Sequence, residues 1–302
     1  MPLDVLKKAI VFGMKENLMI QYVFPDYELP ETYNDVIDSI DNTKIYRSGN
    51  KPITGVKETG DADVEVTDGV PELLSCKNVV LRLSLKDVIG NKNKIADLFR
   101  SGARLNICIT DVEKFSDNDI STYKLLLEDW NLSLLQIFKE GLSPQVNILT
   151  DRLFLDKMRN CDAGVTSITV APNGRFYICP AFYYDERMKV DNMMNHKKPD
   201  FDNSVGDLTI GLEIENQQLL RLDHAPLCRN CDAFQCRRCI WLNRKLTWDC
   251  NTPSRQQCVI SHLERNASRS LMILLQKSGL FRQNNKIKEI DYLDPFDVRE
   301  RK

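Results

Sequence analysis

Apolar residues in the first 19 positions recur with a period near four. Leu3, Leu6, Ala9, Ile10 and Gly13 share one side of a helical projection, so residues 1–19 are expected to form a helix. An extended segment, Met19–Phe24, follows and stops at Pro25. From Glu28 to Gly69 the chain is polar and turn-rich, with one short helix expected around Tyr33–Ile40. Residues 50–69 hold several glycines and few large apolar groups, which predicts a mobile loop. The pattern then changes to a β/α rhythm. Val79–Leu85 reads as a strand, Asn93–Ser101 as a helix stopped by Gly102, and Leu105–Thr110 as a second strand. A helix starting at Ser116/Asp117 is expected to end near Trp130. Leu132–Phe138 and Val146–Leu149 read as a third and a fourth strand. Strands alternating with helices predict an α/β domain over 1–150, with a parallel or mixed sheet covered by helices.

The second half is patterned differently. Ser167–Ala171, Pro172-Asn173-Gly174 and Arg175–Cys179 read as a β-hairpin, because Asn-Gly accommodates the positive backbone angles of a tight turn. The segment from Tyr183 to Asn203 is polar and loop-like, and Ser204–Leu208 returns as a strand. Glu213–Leu222 is expected to be a short helix. The last helix is expected to start at Thr252-Pro253, with Pro253 at the first helical position, and to run to about Lys277. Its apolar residues Val259, Leu263, Ala267, Leu271 and Leu274 lie near one face. This gives a second, α+β domain over 151–280 and a charged tail over 281–302 expected to trail over the surface.

Composition adds limits. The chain has 302 residues with 42% hydrophobic and 28% charged, enough for two domains and a sizeable core. A net charge of −2 gives no electrostatic case for nucleic acid. No apolar run approaches the roughly 18 residues of a membrane span. The N-terminus lacks an uninterrupted apolar core and a small-residue cleavage site, so no signal peptide is expected. A cytoplasmic location follows as the expectation, with thiols reduced and free to bind metal. No GxxxxGK[ST], GxGxxG or HExxH occurs, and three histidines make a hidden Ser/His/Asp triad improbable.

Eight of the ten cysteines fall between Cys161 and Cys258. The order is Cys161, Cys179, then Cys228-x2-Cys231-x4-Cys236-x2-Cys239, then Cys250 and Cys258. Cysteines two apart bring two thiolates from one turn to a single ion or cluster, so this set supplies one or two thiolate sites for iron–sulfur clusters or zinc. Cys76 and Cys108 stand outside it, and Cys108, within an apolar strand, is expected to be a buried inert thiol. His224 and His262 flank the knot and read more readily as surface or packing residues than as ligands; His196 lies in the polar loop. Arg229, Arg237, Arg238, Arg244 and Lys245 surround the knot, suited either to balancing thiolate charge or to docking a peptide. Phe176, Tyr177, Phe182, Tyr183 and Tyr184, with Trp241 and Trp248, are expected to shield the site.

Cys161, Gly174, Cys179, the four-cysteine knot and a last cysteine resemble the SPASM domain, the auxiliary iron–sulfur extension of radical S-adenosylmethionine peptide-modifying enzymes. SVGDL at 204–208 resembles the glycine-containing return strand of that domain. The knot is one residue shorter in each of its last two gaps than the family's Cx2Cx5CxxxC. The wording CRNCDAFQCRRCIWLNRKLTWDCNTPSRQQCVISHLERNASR resembles the CXXX repeat peptide maturases. The resemblance implies an outer cluster on Cys228, Cys231, Cys236 and Cys258. It implies an inner cluster on Cys161, Cys179 and Cys239, its fourth position left to Cys250, to Asp162 or to substrate. Either cluster would be 4Fe-4S, with zinc as the alternative. It also implies a degenerate or partial (β/α) barrel-like first half and a cysteine-rich precursor peptide as partner. The CxxxCxxC motif that holds a radical-generating cluster cannot be built from Cys76 and Cys108. Two functions follow: an iron–sulfur protein that matures a cysteine-rich peptide, by redox or sulfur chemistry at an auxiliary cluster or with a separate radical enzyme or electron donor, or a metal-stabilised (Fe–S or zinc), non-catalytic adaptor that binds and presents the peptide.

Overall fold

The computed structural model describes residues 1–25, 27, 29–47, 62–74, 76–158, 161–184, 203–281 and 286–288. In chain order, helix α1 (Leu3–Lys15) precedes strand β1 (Ile20–Val23), helix α2 (Glu31–Ile37) and strands β2 (Asn42–Arg47), β3 (Val64–Thr67) and β4 (Asn78–Leu83). Helices α3 (Leu85–Gly90) and α4 (Lys92–Leu98), strand β5 (Arg104–Ile109), helix α5 (Asp117–Lys139), strand β6 (Gln145–Val146) and helix α6 (Asp151–Phe154) complete the first half. Strands β7 (Thr169–Val170) and β8 (Arg175–Tyr177), helix α7 (Pro180–Tyr183), strands β9 (Ser204–Asp207) and β10 (Gly211–Leu212), and helices α8 (Ile240–Thr247) and α9 (Arg255–Lys277) follow.

The chain forms two compact units and crosses between them several times, where composition had suggested a single crossing near residue 150. A sheet unit comprises Gln21–Arg159, Cys231–Arg237 and Ser254–Lys302, and a cysteine-rich unit comprises Met1–Ile20, Asn160–Asn230 and Arg238–Pro253. The last helix joins the sheet unit because its apolar stripe is buried there: Val259, Leu263, Leu271 and Leu275 share one core with α5 and the sheet.

The sheet unit is α/β, and its six strands lie in chain order from β1 to β6. Every neighbouring pair from β2 to β6 is parallel. The strand order never reverses, so the sheet lacks the switch point at which doubly wound sheets bind ligands. Strand alternation selects one core face: Val79, Leu81, Leu83, Leu105 and Ile107 are buried. Cys108 has the opposite parity and pairs with Arg82 across the ladder. It is therefore exposed, against the expectation of a buried thiol.

Helix α5 corrects the expected third strand. A capping box of Ser116 and Asp119 starts it, and it runs 23 residues through Leu132–Phe138. The locally alternating LSLLQIF is overridden by a stripe begun upstream: Tyr123, Leu126, Leu127, Trp130, Leu134 and Ile137 are all buried at helical spacing. The fourth strand shrinks to Gln145–Val146, because the amide N–H groups of Leu149 and Thr150 donate back to the Val146 carbonyl and turn the chain into α6. Strand β3 lies inside the expected 50–69 loop; it pairs in parallel with β4, and residues 48–61 lie outside the described residues. Helix α9 is capped by the Ser254 side chain, which accepts from Gln257 N–H, so Pro253 precedes the cap and does not occupy the first helical position. In the tail, Ile287 is 5% exposed and packs into the core.

In the cysteine-rich unit the hairpin forms as predicted, with Thr169 opposite Tyr177 and Val170 opposite Phe176. Gly174 supplies φ of 78° at the turn, and its N–H donates to the Ala171 carbonyl. Strand β9 adds antiparallel to β8, and β10 to β9. Gly206 is required there, because a Cβ would stand 2.1 Å from the Gly211 carbonyl oxygen. The expected helix over Glu213–Leu222 is replaced by two 3₁₀ turns, Gln217–Leu220 and Leu222–His224, after Asn216 enters the left-handed region at φ 50°. No helix among the described residues is long and apolar enough to cross a membrane.

Candidate metal centres

All four cysteines of the expected inner site belong to the cysteine-rich unit. Strand β8 ends at Tyr177 and delivers Cys179 to the N-cap position of α7, where Pro180 opens the helix. The Cys179 side chain makes no capping hydrogen bond, and the Phe182 N–H donates to the Cys179 carbonyl at 3.1 Å; the Ala181 and Phe182 amides only partly offset the effect of burial on the thiol. Cys239 does cap α8: its sulfur accepts the Leu242 N–H at 3.5 Å, with the Trp241 N–H also acting on it. The start of α8 thus presents a sulfur to its own N–H groups, an arrangement that favours the thiolate.

Cys161, Cys179 and Cys239 act on one another electrostatically. Burial raises the Cys239 thiol to about 11, and the like charges of Cys161 and Cys179 push in the same direction. The Cys179 thiol is raised by burial first, with Cys161 adding to it. The Cys179 and Cys239 thiols are therefore neutral without metal, and a metal must displace their protons. Cys161 and Cys179 pack against a small core that includes Ala163, Ile178, Phe182 and Ile240.

Cys250 packs against the same core, but different groups act on it. Its thiol is raised by burial and by Asp249 and lowered by Arg238 and Arg244; its sulfur lies 4.0 Å from the Leu219 carbonyl oxygen. Asp162 is exposed with φ of 54°, and its carbonyl accepts the N–H groups of Val165 and Thr166, which forms the turn that follows Cys161.

The outer set is divided by the fold. Cys231, Cys236 and Cys258 lie in the sheet unit, whereas Cys228, 9% exposed, lies in the cysteine-rich unit. The segment 231–237 is fastened to α9. Arg265 on that helix is fully buried and forms a bidentate pair with Asp232, at 3.0 and 2.6 Å. Arg152 donates to the Asp232 carbonyl at 2.7 Å and stacks 4.2 Å from the Phe234 ring centroid, and Gln235 donates to the Ser261 carbonyl at 2.7 Å. Burial raises the Cys231 thiol, and Cys236 and Asp232 raise it further.

The sequence reading missed two residues. His262 is 5% exposed, and its Nε2 lies 3.5 Å from the Cys231 sulfur. The available signal was Cys258-x3-His262, which places both on one helix face. Arg238, grouped with the surrounding cations, is 1% exposed at φ 47°; it donates to the carbonyls of Leu220 and Cys250 and to Asn251 Oδ1. Its adjacent twin, Arg237, is exposed. Among the aromatic residues, Phe176, Tyr177 and Phe182 are buried, whereas Trp248 and Tyr184 are exposed, the Tyr184 ring centroid 4.7 Å from that of Tyr183. His224 is exposed, and His196 lies outside the described residues.

Among the described residues, no three His, Cys, Asp or Glu side chains are grouped closely enough to hold a metal ion. The donor chemistry nevertheless fits a thiolate-bound centre at the inner trio: soft sulfurs, sulfur-directed N–H donors and a largely apolar lining. No family model matches this chain, and no curated protein matches it.

Proposed function

We propose that this chain is an iron–sulfur protein that takes part in maturing a cysteine-rich ribosomal peptide, with Cys161, Cys179 and Cys239 holding the inner cluster. The observation that carries the reading is that three thiols from distant segments are near enough to act on one another electrostatically, with Cys239 accepting a helix-start N–H. Iron and sulfide suit soft thiolate donors in a largely apolar setting. When bound, the cluster would supply one-electron transfer or an iron that accepts an external thiolate.

The chain's own residues give that centre its setting. Cys239 would be oriented by its N–H donors, Phe182 and Ile240 exclude water, and Arg244, 5.7 Å from the Phe182 ring centroid, adds positive charge beside them. The peptide substrate is inferred from the CXXX repeat maturase resemblance. The in-order parallel sheet is compatible with a partial barrel of the radical S-adenosylmethionine type. Before Cys161 the chain has only Cys76 and Cys108, so the radical step is assigned to a separate enzyme. That absence also favours the second reading, a non-catalytic adaptor.

Anaerobic purification with iron, sulfide and zinc analysis tests the proposal. Stoichiometric iron and sulfide with a visible charge-transfer band are expected, and a colourless chain with zinc and no sulfide refutes it. A cysteine-rich peptide that perturbs the band supports chemistry at the cluster; binding without perturbation favours the adaptor.

A further inference from the structure

We propose that Glu264 is a proton-operated latch: as the neutral acid it donates a hydrogen bond to Gln235 and holds the segment 231–237 on helix α9, and on losing that proton it loosens the segment. The segment carries Cys231 and Cys236, so the proton sets how firmly these two thiols are kept in place. All of these residues lie in the sheet unit, and the inference does not depend on what the cysteines bind.

Packing supplies the first argument. Glu264 is 9% exposed, and the hydroxyl of Tyr123, a fully buried residue of α5, donates to its Oε1 at 2.9 Å. The Gln235 side chain reaches the same carboxyl, and its Nε2 donates to the Ser261 carbonyl at 2.7 Å. Among the described residues, Tyr123 and Gln235 are the groups that act on Glu264. The cations of the surrounding elements are engaged elsewhere: Arg265 of α9 and Arg152 of α6 both pair with Asp232. His262 of α9 lies against the Cys231 sulfur, and Glu113 and Lys114, in the 3₁₀ turn Val112–Lys114 that packs on α9, do not act on Glu264. An ionised Glu264 is therefore a buried charge without a counter-ion, which is the costly state.

The amide supplies a second, independent argument. Gln235 Oε1 is buried and has no partner among the described residues. A buried acceptor without a donor is destabilising, and a carboxylate beside it offers no proton. The neutral acid does: Oε1 of Glu264 accepts from Tyr123, the acid O–H donates to Gln235 Oε1, and Gln235 Nε2 keeps the Ser261 carbonyl. Ionisation sends that proton to solvent and sets two acceptors, the carboxylate and Gln235 Oε1, against each other. Turning the amide to relieve this takes Nε2 from Ser261, and the segment is left with Asp232 as its anchor to Arg265 and Arg152. Burial raises the Glu264 carboxyl to about 7, so the latch is closed below neutral pH and opens above it.

Hydrogen–deuterium exchange of the full chain, read by mass spectrometry and corrected for the intrinsic pH dependence of exchange, tests the latch from about pH 5.5 to about pH 8.5. Peptides spanning 231–237 report on it, because the amides of Phe234 and Cys236 donate there to the carbonyls of Asp232 and Ala233. In the wild type their protection is expected to fall roughly fivefold as pH rises through 7, the worth of one net hydrogen bond, at labelling times that leave β4 and β5 unexchanged. Glu264→Gln offers an amide N–H to Gln235 Oε1 at every pH, so protection should stay high and flat. Gln235→Leu removes the latch, so protection should be low and flat. Infrared difference spectra should show one buried carboxylic-acid band lost over the same range in the wild type and not in Glu264→Gln. Wild-type protection that does not change with pH, a pH dependence that survives in Glu264→Gln, or a loss seen only together with exchange of β4 and β5 overturns the inference. If Glu264→Gln fails to fold, Gln235→Leu and the wild-type infrared titration decide.

Discussion

Glu264 offers the sharpest energetic test of the sheet unit. It lies on α9 with 9% exposure, and its Oε1 accepts the Tyr123 hydroxyl at 2.9 Å. Burial raises its pKa from the ordinary 4.5 to about 7, although hydrogen bonds from Tyr123 and Gln235 favour the carboxylate. A carboxyl whose folded pKa is raised contributes its full stability below the unfolded value and loses it as pH rises through the folded one. The window is therefore pH 4.5 to 7, and a shift of roughly 2.5 units at about 1.36 kcal/mol each amounts to about 3 kcal/mol. Glu264→Gln removes the ionisation and keeps an acceptor for Tyr123. The buried Gln235 Oε1, which has no partner among the described residues, can accept from the new amide. Urea unfolding of wild type and variant, followed by helical circular dichroism from pH 4.5 to 8, should give similar stabilities at the acid end. By pH 8 the variant should be ahead by about 3 kcal/mol. Any effect of acid common to both proteins cancels, so the difference between them is the readout. A difference that stays constant within about 1 kcal/mol over the range would refute a buried, titrating Glu264.

Three further outcomes follow from the cysteine-rich unit. Serine at Cys161, Cys179 or Cys239 should abolish the inner chromophore, whereas Cys250→Ala should leave it unchanged, because Cys250 answers to Asp249, Arg238 and Arg244 rather than to the other thiols; equal loss in all four would make Cys250 a ligand. In the metal-free chain, burial holds the Cys239 thiol neutral up to about 11, so stability should be constant below pH 9 and fall by up to roughly 2–3 kcal/mol as pH rises from 9 to 11, and Cys239→Ser should flatten that limb of a stability–pH curve. Arg238→Met strips donors from the carbonyls of Leu220 and Cys250 and from Asn251; a loss of about 3 kcal/mol or more in chemical denaturation is expected, and a loss under about 1 kcal/mol would mean that water replaces them.

The readable part of the fold was written in local periodicity. Strands β4 and β5, helix α1 and the Asn173-Gly174 hairpin each declare themselves within a dozen residues, because the turn or the stripe that defines them is local. Leu132–Phe138 failed because its alternation is a fragment of a longer register. Once the Ser116 cap sets the helix frame, the buried series from Tyr123 to Ile137 continues through it. Strand β3 failed for the converse reason: four residues in a polar stretch become a strand only because β2 and β4 flank them in parallel. Cys108 shows the limit of composition: an apolar strand still has two faces, and its parity turns this thiol away from the core.

For the metal centres, spacing identified the cysteines but not their grouping. Cys228-x2-Cys231-x4-Cys236-x2-Cys239 reads as one knot, yet its first and last members lie in the cysteine-rich unit and its middle two in the sheet unit. The division follows from residues that are not ligands. Asp232, two positions before Phe234, is claimed by Arg265 and Arg152 and carries Cys231 and Cys236 with it. Arg238, buried at a positive φ, returns the chain so that Cys239 caps α8 beside Cys161 and Cys179. In CRRC the two arginines are chemically alike, and only the backbone angle at the second decides which one is buried. A cysteine motif thus lists the available sulfurs, while Arg152, Arg238 and Arg265 help to distribute them between the two units. Exchanging the Asp232 anchor for Asn should therefore disturb Cys231 and Cys236 and leave the inner trio intact.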